Sequence, residues 1–169
     1  MDLIVNDVLQ FLHIPDQLPL CAMYSKHEIS SLREEFWTAF GVYMNLHLSS
    51  EGEKINWINY KTGIKNFRFH MDAGTKEAVI AIELTDRDIT QRKLFYEQLV
   101  SLKGIFHQYL DERWNWIPGQ SGHTTRIETR LENVNILNKN DWPALISFFK
   151  PRLIALDAFC NEVKPGFEQ

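Results

Sequence analysis

Cysteine is scarce in this sequence: Cys21 and Cys160 are the only two among 169 residues, and they stand far apart. Structural zinc sites usually need cysteine or histidine pairs at short spacing, and two isolated thiols are typical of a reducing compartment. No apolar run approaches the roughly 18 residues that cross a bilayer, and the first residues lack the basic start of a signal peptide. The sequence therefore predicts a cytoplasmic protein with no disulfide framework, no zinc site and no membrane partner.

An excess of positive charge is also missing. The chain carries 18 lysines and arginines against 22 aspartates and glutamates, which gives a formal net charge of −4. Because proteins that bind polyanions are usually basic, any nucleic-acid contact must come from a local patch. We also expect no cofactor, since the glycine-containing stretch 119–126 matches neither a phosphate-binding loop nor a nucleophile elbow.

The sequence does contain enough apolar side chains for one folded domain, with 44% hydrophobic and 12% aromatic residues. Residues 1–24 hold only a short amphipathic pattern, which is compatible with one short helix and which Pro15 and Pro19 stop. We therefore expect an N-terminal appendage over residues 1–24, a single domain over residues 25–164 and a tail over residues 165–169.

Helix and strand patterns follow one another along the domain. Ser25 and Glu28 form a capping-box pattern at the start of a helix that ends near residue 46. The later predicted elements are strands at residues 55–60, 66–72 and 77–84, a helix at 87–110, strands at 114–117 and 125–132, and a helix from residue 140 or 141. The order helix, three strands, helix, two strands, helix predicts an α+β fold with a mainly antiparallel five-stranded sheet and helices packed on one face.

Strict alternation within the strands predicts which face of the sheet is buried. Apolar and charged residues alternate along residues 67–72 and again along residues 125–132. The residues expected to face the helices are Phe67, Phe69, Met71, Ile80, Ile82, Ile127 and Leu131. The opposite face should be charged.

Three segments resemble a known family: residues 36–44 (FWTAFGVYM), 56–65 (NWINYKTGIK) and 141–157 (DWPALISFFKPRLIALD). Together they resemble the bacterial family called domain of unknown function 4268, over about residues 25–163. The resemblance implies no established activity, so no catalytic residue can be transferred from the family. Some relatives join this domain to a nuclease-like partner domain, which implies a nucleic-acid or defence setting.

The predicted element order also resembles the core of PD-(D/E)xK nucleases, which hold a divalent metal between an Asp and a Glu on adjacent strands, beside a Lys. Asp72 and Glu83 stand at suggestive positions, but Thr85 occupies the place of the Lys. A turn centred on residues 74–75 would pair Asp72 with Glu77 and leave Glu83 six residues away, about 20 Å at 3.3 Å per residue. The two carboxylates could not share a metal.

Two weaker sets of candidate site residues remain. Asp72 and Glu77, expected to lie opposite each other, are candidate metal ligands, although both could simply lie at the wet end of a hairpin. On the charged sheet face, the candidate ligand-binding residues are Arg68, His70, Arg126 and Arg130, although a mixed-charge face is ordinarily a solvated surface.

The sequence thus favours a non-catalytic binding or interaction domain, whose partner is a protein or a nucleic acid. A diverged metal-dependent nuclease of the PD-(D/E)xK type is the first alternative. A structural homo-oligomer is the second alternative.

Overall fold

The predicted α+β class is confirmed, with helices packed against one antiparallel sheet. The computed structural model describes residues 24–119 and 124–167. The helices and strands in these ranges are α1 (Lys26–Met44), β1 (Phe67–Ala73), β2 (Glu77–Leu84), α2 (Ile89–Ser101), α3 (Lys103–Tyr109), β3 (Asn115–Ile117), β4 (Thr125–Glu132) and α4 (Trp142–Val163). None of these helices is long and apolar enough to cross a membrane. The short helix predicted near the N-terminus lies outside the described residues.

Helix α1 begins where the capping box predicts. The Ser25 hydroxyl accepts a hydrogen bond from the Glu28 backbone N–H at 3.3 Å, and the Glu28 carboxylate accepts one from the Ser25 N–H at 2.7 Å. Two otherwise unpaired backbone donors are thereby satisfied. The hydrogen bond from the Ser25 N–H also lowers the pKa of Glu28.

The sheet has the strand order β1-β2-β4-β3, and every neighbouring pair is antiparallel. In the β1–β2 pair, Asp72 lies opposite Val79, so the register differs by two residues from the predicted one. The Gly74 N–H donates to the Glu77 carbonyl at 2.8 Å, and residues 74–77 form a wider turn than expected. Because side chains alternate with a period of two, this shift changes the pairing but preserves the two faces.

The core lies between one face of the sheet and the helices. Ile80, Ile82 and Ile127 are at most 1% exposed and belong to the buried cluster, together with Phe67. The other three residues predicted to face the helices, Phe69, Met71 and Leu131, are half-buried against the same cluster. Helix α4 contributes the largest apolar face, which contains Phe149, Leu153, Leu156 and Phe159.

The fifth predicted strand is wrong: the described sheet has four strands, and residues 55–60 fold into turns. The Asn56 side-chain oxygen accepts hydrogen bonds from the backbone N–H groups two and three residues further on, at 3.1 and 3.0 Å. Such an Asx turn bends the chain away from an extended ladder. Trp57 is 1% exposed and donates its indole N–H to the His47 carbonyl at 3.0 Å. The apolar residues of this run therefore anchor a loop.

The long helix predicted over residues 87–110 is two helices, α2 and α3. Helix α2 ends at Ser101, whose hydroxyl donates to the Gln98 carbonyl at 2.6 Å. The Leu102 N–H reaches both the Gln98 and the Leu99 carbonyls, which tightens the last turn before α3 begins. Helix α4, in contrast, is a single helix even though it contains Pro151, a residue that usually interrupts helices.

Candidate functional site

The charged face of the sheet contains a buried carboxylate that two arginines neutralise. Glu83 on β2 lies opposite Arg68 on β1 and opposite Arg126 on β4. Its side chain is only 2% exposed. Arg68 donates to one carboxylate oxygen through Nε at 2.8 Å and Nη2 at 2.6 Å, and Arg126 donates to the other. A buried charge needs such partners, because its desolvation is otherwise very costly.

A second buried carboxylate continues this pattern along β4. The Glu128 side chain accepts a hydrogen bond from Arg126 Nη1 at 3.4 Å and contacts Arg130 Nη2 at 2.7 Å. Arg130 also donates to Glu77 at 2.5 Å. Its hydrogen bond to Glu128 is the main cause that raises the pKa of Arg130. We call this set the ion ladder: Arg68, Glu83, Arg126, Glu128, Arg130 and Glu77.

The structure thus brings together the four residues that the sequence proposed as a ligand-binding face. The His70 ring nitrogen Nδ1 lies 4.0 Å from Glu83, beside the ion ladder. The three arginines of the ladder are matched by its three glutamates, so the ladder itself has no net charge, while Asp72 and Glu132 add negative charge to the same face. Any polyanion would compete with carboxylates that already hold the guanidinium groups.

Asp72 and Glu77, the candidate metal ligands, each have an arginine neighbour. Asp72 lies 4.0 Å from Arg33 of α1, whereas Glu77 pairs with Arg130. In the parts of the chain that the structure describes, no group of three or more His, Cys, Asp or Glu side chains is arranged to hold a metal ion.

Asp72 and Glu83, the pair suggested by nuclease cores, lie on the same sheet face but far apart. Glu83 is opposite Arg68, four residues from Asp72, which corresponds to about 13 Å along the strand. The sequence had predicted six residues, and the register shift accounts for the difference. Two ligands of one Mg²⁺ or Ca²⁺ must each approach it within about 2.6 Å. These two carboxylates cannot do so together.

A second region lies on the other side of β1, where the loop of residues 45–66 crosses between α1 and α4. Three cavities adjoin there, with volumes of about 470, 300 and 440 Å³. The first two share Trp37, Trp57 and Ile58 as lining residues, and the second and third share Tyr60. We call the three cavities the groove and residues 45–66 the groove loop.

Asp157 of α4 holds the groove loop in place through hydrogen bonds to its carboxylate. Its carboxylate, in a residue only 1% exposed, accepts hydrogen bonds from the Ser50 N–H at 2.6 Å and from the Tyr60 hydroxyl at 2.5 Å. The Asn161 amide donates to it at 3.4 Å and to the Ser50 hydroxyl at 2.5 Å. Burial, and then the hydrogen bond to Asp157, raise the pKa of Tyr60, so its phenol remains a donor.

Cys160 lies on α4 between Asp157 and Asn161, next to this network, and is fully buried. Its sulfur is 3.9 Å from the Thr62 carbonyl of the groove loop. Burial, reinforced by the nearby Asp157 carboxylate, raises the pKa of the Cys160 thiol to about 12. The thiol is therefore a packing group in this position.

Close packing between α1 and the groove loop depends on a glycine. A Cβ atom at Gly41 would lie 3.2 Å from Cγ1 of Ile58, which is tighter than ordinary van der Waals contact. The missing side chain lets Ile58 sit against the helix, between the cavities of 470 and 300 Å³.

The 300 Å³ cavity has aromatic walls. Tyr60 stacks on Phe69 with ring centroids 4.7 Å apart, and Trp57 lies 6.1 Å from Tyr60. The complete lining is Trp37, Trp57, Ile58, Tyr60, Phe69, Met71 and Leu153. Ligand pockets are typically concave and mostly apolar with a few polar groups, and they begin at about 300 Å³. This cavity has those properties.

Sequence reasoning missed the groove, because its residues come from segments far apart in the chain. One signal was present: Asp157 interrupts the apolar face of α4 between Leu156 and Phe159, and a carboxylate in that position needs buried donors. The partners of Asp157 could not be identified without the path of the groove loop.

The model of the family described as domain of unknown function (DUF4268) matches residues 32–164, which is most of the chain, and the chain belongs to this family. No curated protein and no solved structure matches it. The three sequence segments that resemble the family meet at the groove. They contribute Trp37 and Gly41, then residues 56–61, and finally Leu153 and Asp157.

Proposed function

We propose that this chain is a non-catalytic binding domain that holds its ligand in the groove. The observation that carries the proposal is the aromatic cavity of 300 Å³, which adjoins two larger cavities lined by both polar and apolar residues. Such a combination offers apolar contact area together with polar groups that orient a ligand. The ion ladder, in contrast, has its charged groups already paired.

Family membership supports the same surface. The segments by which the chain resembles its family contribute lining residues to each of the three cavities of the groove. Relatives that carry a nuclease-like partner domain favour a nucleic-acid or defence setting, in which this domain would supply recognition and another domain the chemistry.

Indole is a suitable first probe, because it is a planar apolar molecule with one donor. We would titrate it into the full chain labelled with ¹⁵N and follow the side-chain resonances of the five tryptophans. The expected result is a saturable shift of Trp37 and Trp57. Trp114, Trp116 and Trp142 serve as internal controls, since they do not line the groove. Equal shifts at all five, or none at Trp37 and Trp57, would contradict the proposal.

A second candidate function is weak polyanion binding on the charged sheet face. It is favoured by Arg68, whose side chain is 61% exposed although it pairs with Glu83. Each phosphate contact on duplex DNA contributes about −0.9 to the slope of log affinity against log salt, so three arginines allow at most about −3. Binding isotherms of a DNA duplex at several salt concentrations, for the wild type and for Arg68→Gln, measure this slope. An identical slope for both would exclude Arg68 as a contact.

A further inference from the structure

The edge of β1 lies beside the aromatic cavity, because Phe69 and Met71 of this strand line that cavity. In the strand order β1-β2-β4-β3, β1 has a neighbour on one side only among the strands that the structure describes. Within the described ranges, the backbone of residues 68–73 makes no hydrogen bond beyond the β1–β2 ladder. Alternate N–H and C=O groups of an antiparallel edge strand point away from its partner. A further strand could therefore be added along β1.

The cavity lies where a side chain of that added strand would point. Phe69 and Met71 are two of the residues of β1 that face the core, and both line the cavity. An added strand would run about 4.8 Å beyond β1, with its inward side chains level with these two residues. The sheet edge and the cavity thus form one continuous site, in which a ladder gives affinity and a side-chain pocket gives specificity.

The chemistry of the cavity favours an apolar side chain over a nucleobase. Tyr60 provides a hydroxyl to the lining, and this hydroxyl already donates to Asp157 at 2.5 Å. A base carries several polar atoms on its edge, and each one buried without a partner weakens binding, because it loses its hydrogen bonds to water. An aliphatic or phenyl side chain has no such atoms.

The charge of the groove favours a basic ligand. Four carboxylates line its cavities, from Glu34, Glu51, Glu53 and Asp157, against the two lysines Lys61 and Lys164. Among described residues, the three exposed glutamates of this set form no ion pair. This imbalance attracts lysine or arginine and repels phosphate.

We propose that the groove binds an extended segment of a partner polypeptide, which adds a strand to the edge of β1 and inserts a bulky apolar side chain, flanked by basic residues, into the aromatic cavity. This inference rests on the proposed function and names the ligand class. Val42, which is 66% exposed near the end of α1 and lines the 470 Å³ cavity, adds apolar contact surface beyond the aromatic cavity.

The test begins with a library of displayed seven-residue peptides selected on the immobilised full chain. The expected consensus alternates in polarity and contains one phenylalanine, leucine or tryptophan near lysine or arginine. Calorimetry then compares the selected peptide with two versions N-methylated on alternate residues. One version should bind about tenfold more weakly, because it loses ladder hydrogen bonds, and the other should bind as before.

A variant pair locates the site on the protein. Met71→Gln places a polar group in the cavity and should weaken peptide binding by about tenfold. Leu131→Gln is the matched control, because Leu131 is also half-buried on the core face but belongs to β4. Equal losses in both variants would overturn the assignment.

The other outcomes separate this inference from the proposed function. If indole shifts Trp37 and Trp57 but both N-methylated peptides bind equally, strand addition is wrong and the binding groove stands. If single-stranded DNA of twelve thymidines displaces indole and peptides do not, the polypeptide ligand is wrong. If light scattering finds a dimer that Met71→Gln dissociates, a second copy of the chain is the occupant. If indole itself does not bind, the groove is not the site.

Discussion

Two buried carboxylates, each about 1% exposed, organise two different regions of this molecule. Glu83 in the ion ladder is held by the cations Arg68 and Arg126. Asp157 under the groove is held by a backbone N–H, a phenol and an amide, none of which carries a positive charge. The charges of the ion ladder therefore balance one another, whereas the residues that line the groove carry more negative than positive charge. This difference in how the two carboxylates are held supports the groove, rather than the ion ladder, as the proposed ligand site.

The largest expected effect comes from removing the charge at Glu83. Glu83→Gln leaves two arginines facing a neutral amide, and breaking a buried pair by removing one partner costs about 3–5 kcal/mol. We expect the lower end of that range, because Arg68 is largely exposed to solvent. Urea denaturation measures the free energy of unfolding.

The control for this variant is Glu53→Gln, at an exposed position of the groove loop, which should change the stability by less than about 0.5 kcal/mol. A loss below about 1 kcal/mol for Glu83→Gln would mean that solvent, and not the arginines, stabilises this carboxylate.

The matching change under the groove should have a smaller effect. Asp157→Asn keeps an oxygen acceptor and leaves no cation unpaired, so we expect a loss of about 1.5–3 kcal/mol, the range for hydrogen bonds to a charged group. Hydrogen exchange should accelerate at the Ser50 amide, which donates to Asp157. If Asp157→Asn were more destabilising than Glu83→Gln, the contrast between the two regions would be wrong.

Alkaline pH should weaken the groove floor and spare the ion ladder. The pKa of Cys160 rises from 9.0 to about 12 on folding, and the pKa of Tyr60 also rises, so the folded state favours the neutral forms. Their contribution is complete below about pH 9 and is lost as the pH rises toward 12. For Cys160 alone, the loss between about pH 8 and about pH 10 is about 1.4 kcal/mol. Denaturation of the wild type and of Cys160→Ala at both pH values checks this, since the variant should lose less.

The smallest change in stability is expected for Gly41→Ala. The added methyl group presses on Ile58, but alanine favours the helix by about 1 kcal/mol, so the two effects partly cancel. Affinity for indole should fall, because Ile58 must move where it lines the cavities. Ala39→Gly, at an exposed position of the same helix, is the control that changes helix propensity without touching the groove loop. If Gly41→Ala bound indole as tightly as the wild type, Ile58 would not be part of the binding site.

Local patterns predicted most of the fold. The Ser25 capping box, the alternation around Phe67 and the period of α4 each depend on neighbours within a few residues, and these elements are present. The strand predicted at residues 55–60 is wrong, because a tryptophan buried in a strand and a tryptophan that anchors a loop give the same sequence pattern. The side-chain hydrogen bonds of Asn56 and Trp57 favour turns over a strand here. The spacing of apolar residues does not reveal such hydrogen bonds.

The two regions differ in how far sequence reasoning could reach. Alternation placed Arg68, Arg126 and Arg130 on one face even though the register was shifted by two residues. The pairing of Arg68 with Glu83, in which the two charges neutralise each other, required the true register. The groove was further out of reach, since Ser50 and Asp157 are 107 residues apart.

That separation has a consequence for synthesis. The β1–β2 hairpin can close as soon as its own residues leave the ribosome, but the groove lacks its floor until α4 has been made. Until then Trp37 and Phe40 lack their contact with Phe149, and the groove loop lacks its hydrogen bonds to Asp157, because both residues belong to α4. Contacts so distant in sequence form late and slow folding, and an exposed aromatic helix is prone to aggregation meanwhile. The nascent chain should therefore need chaperone protection longest along α1.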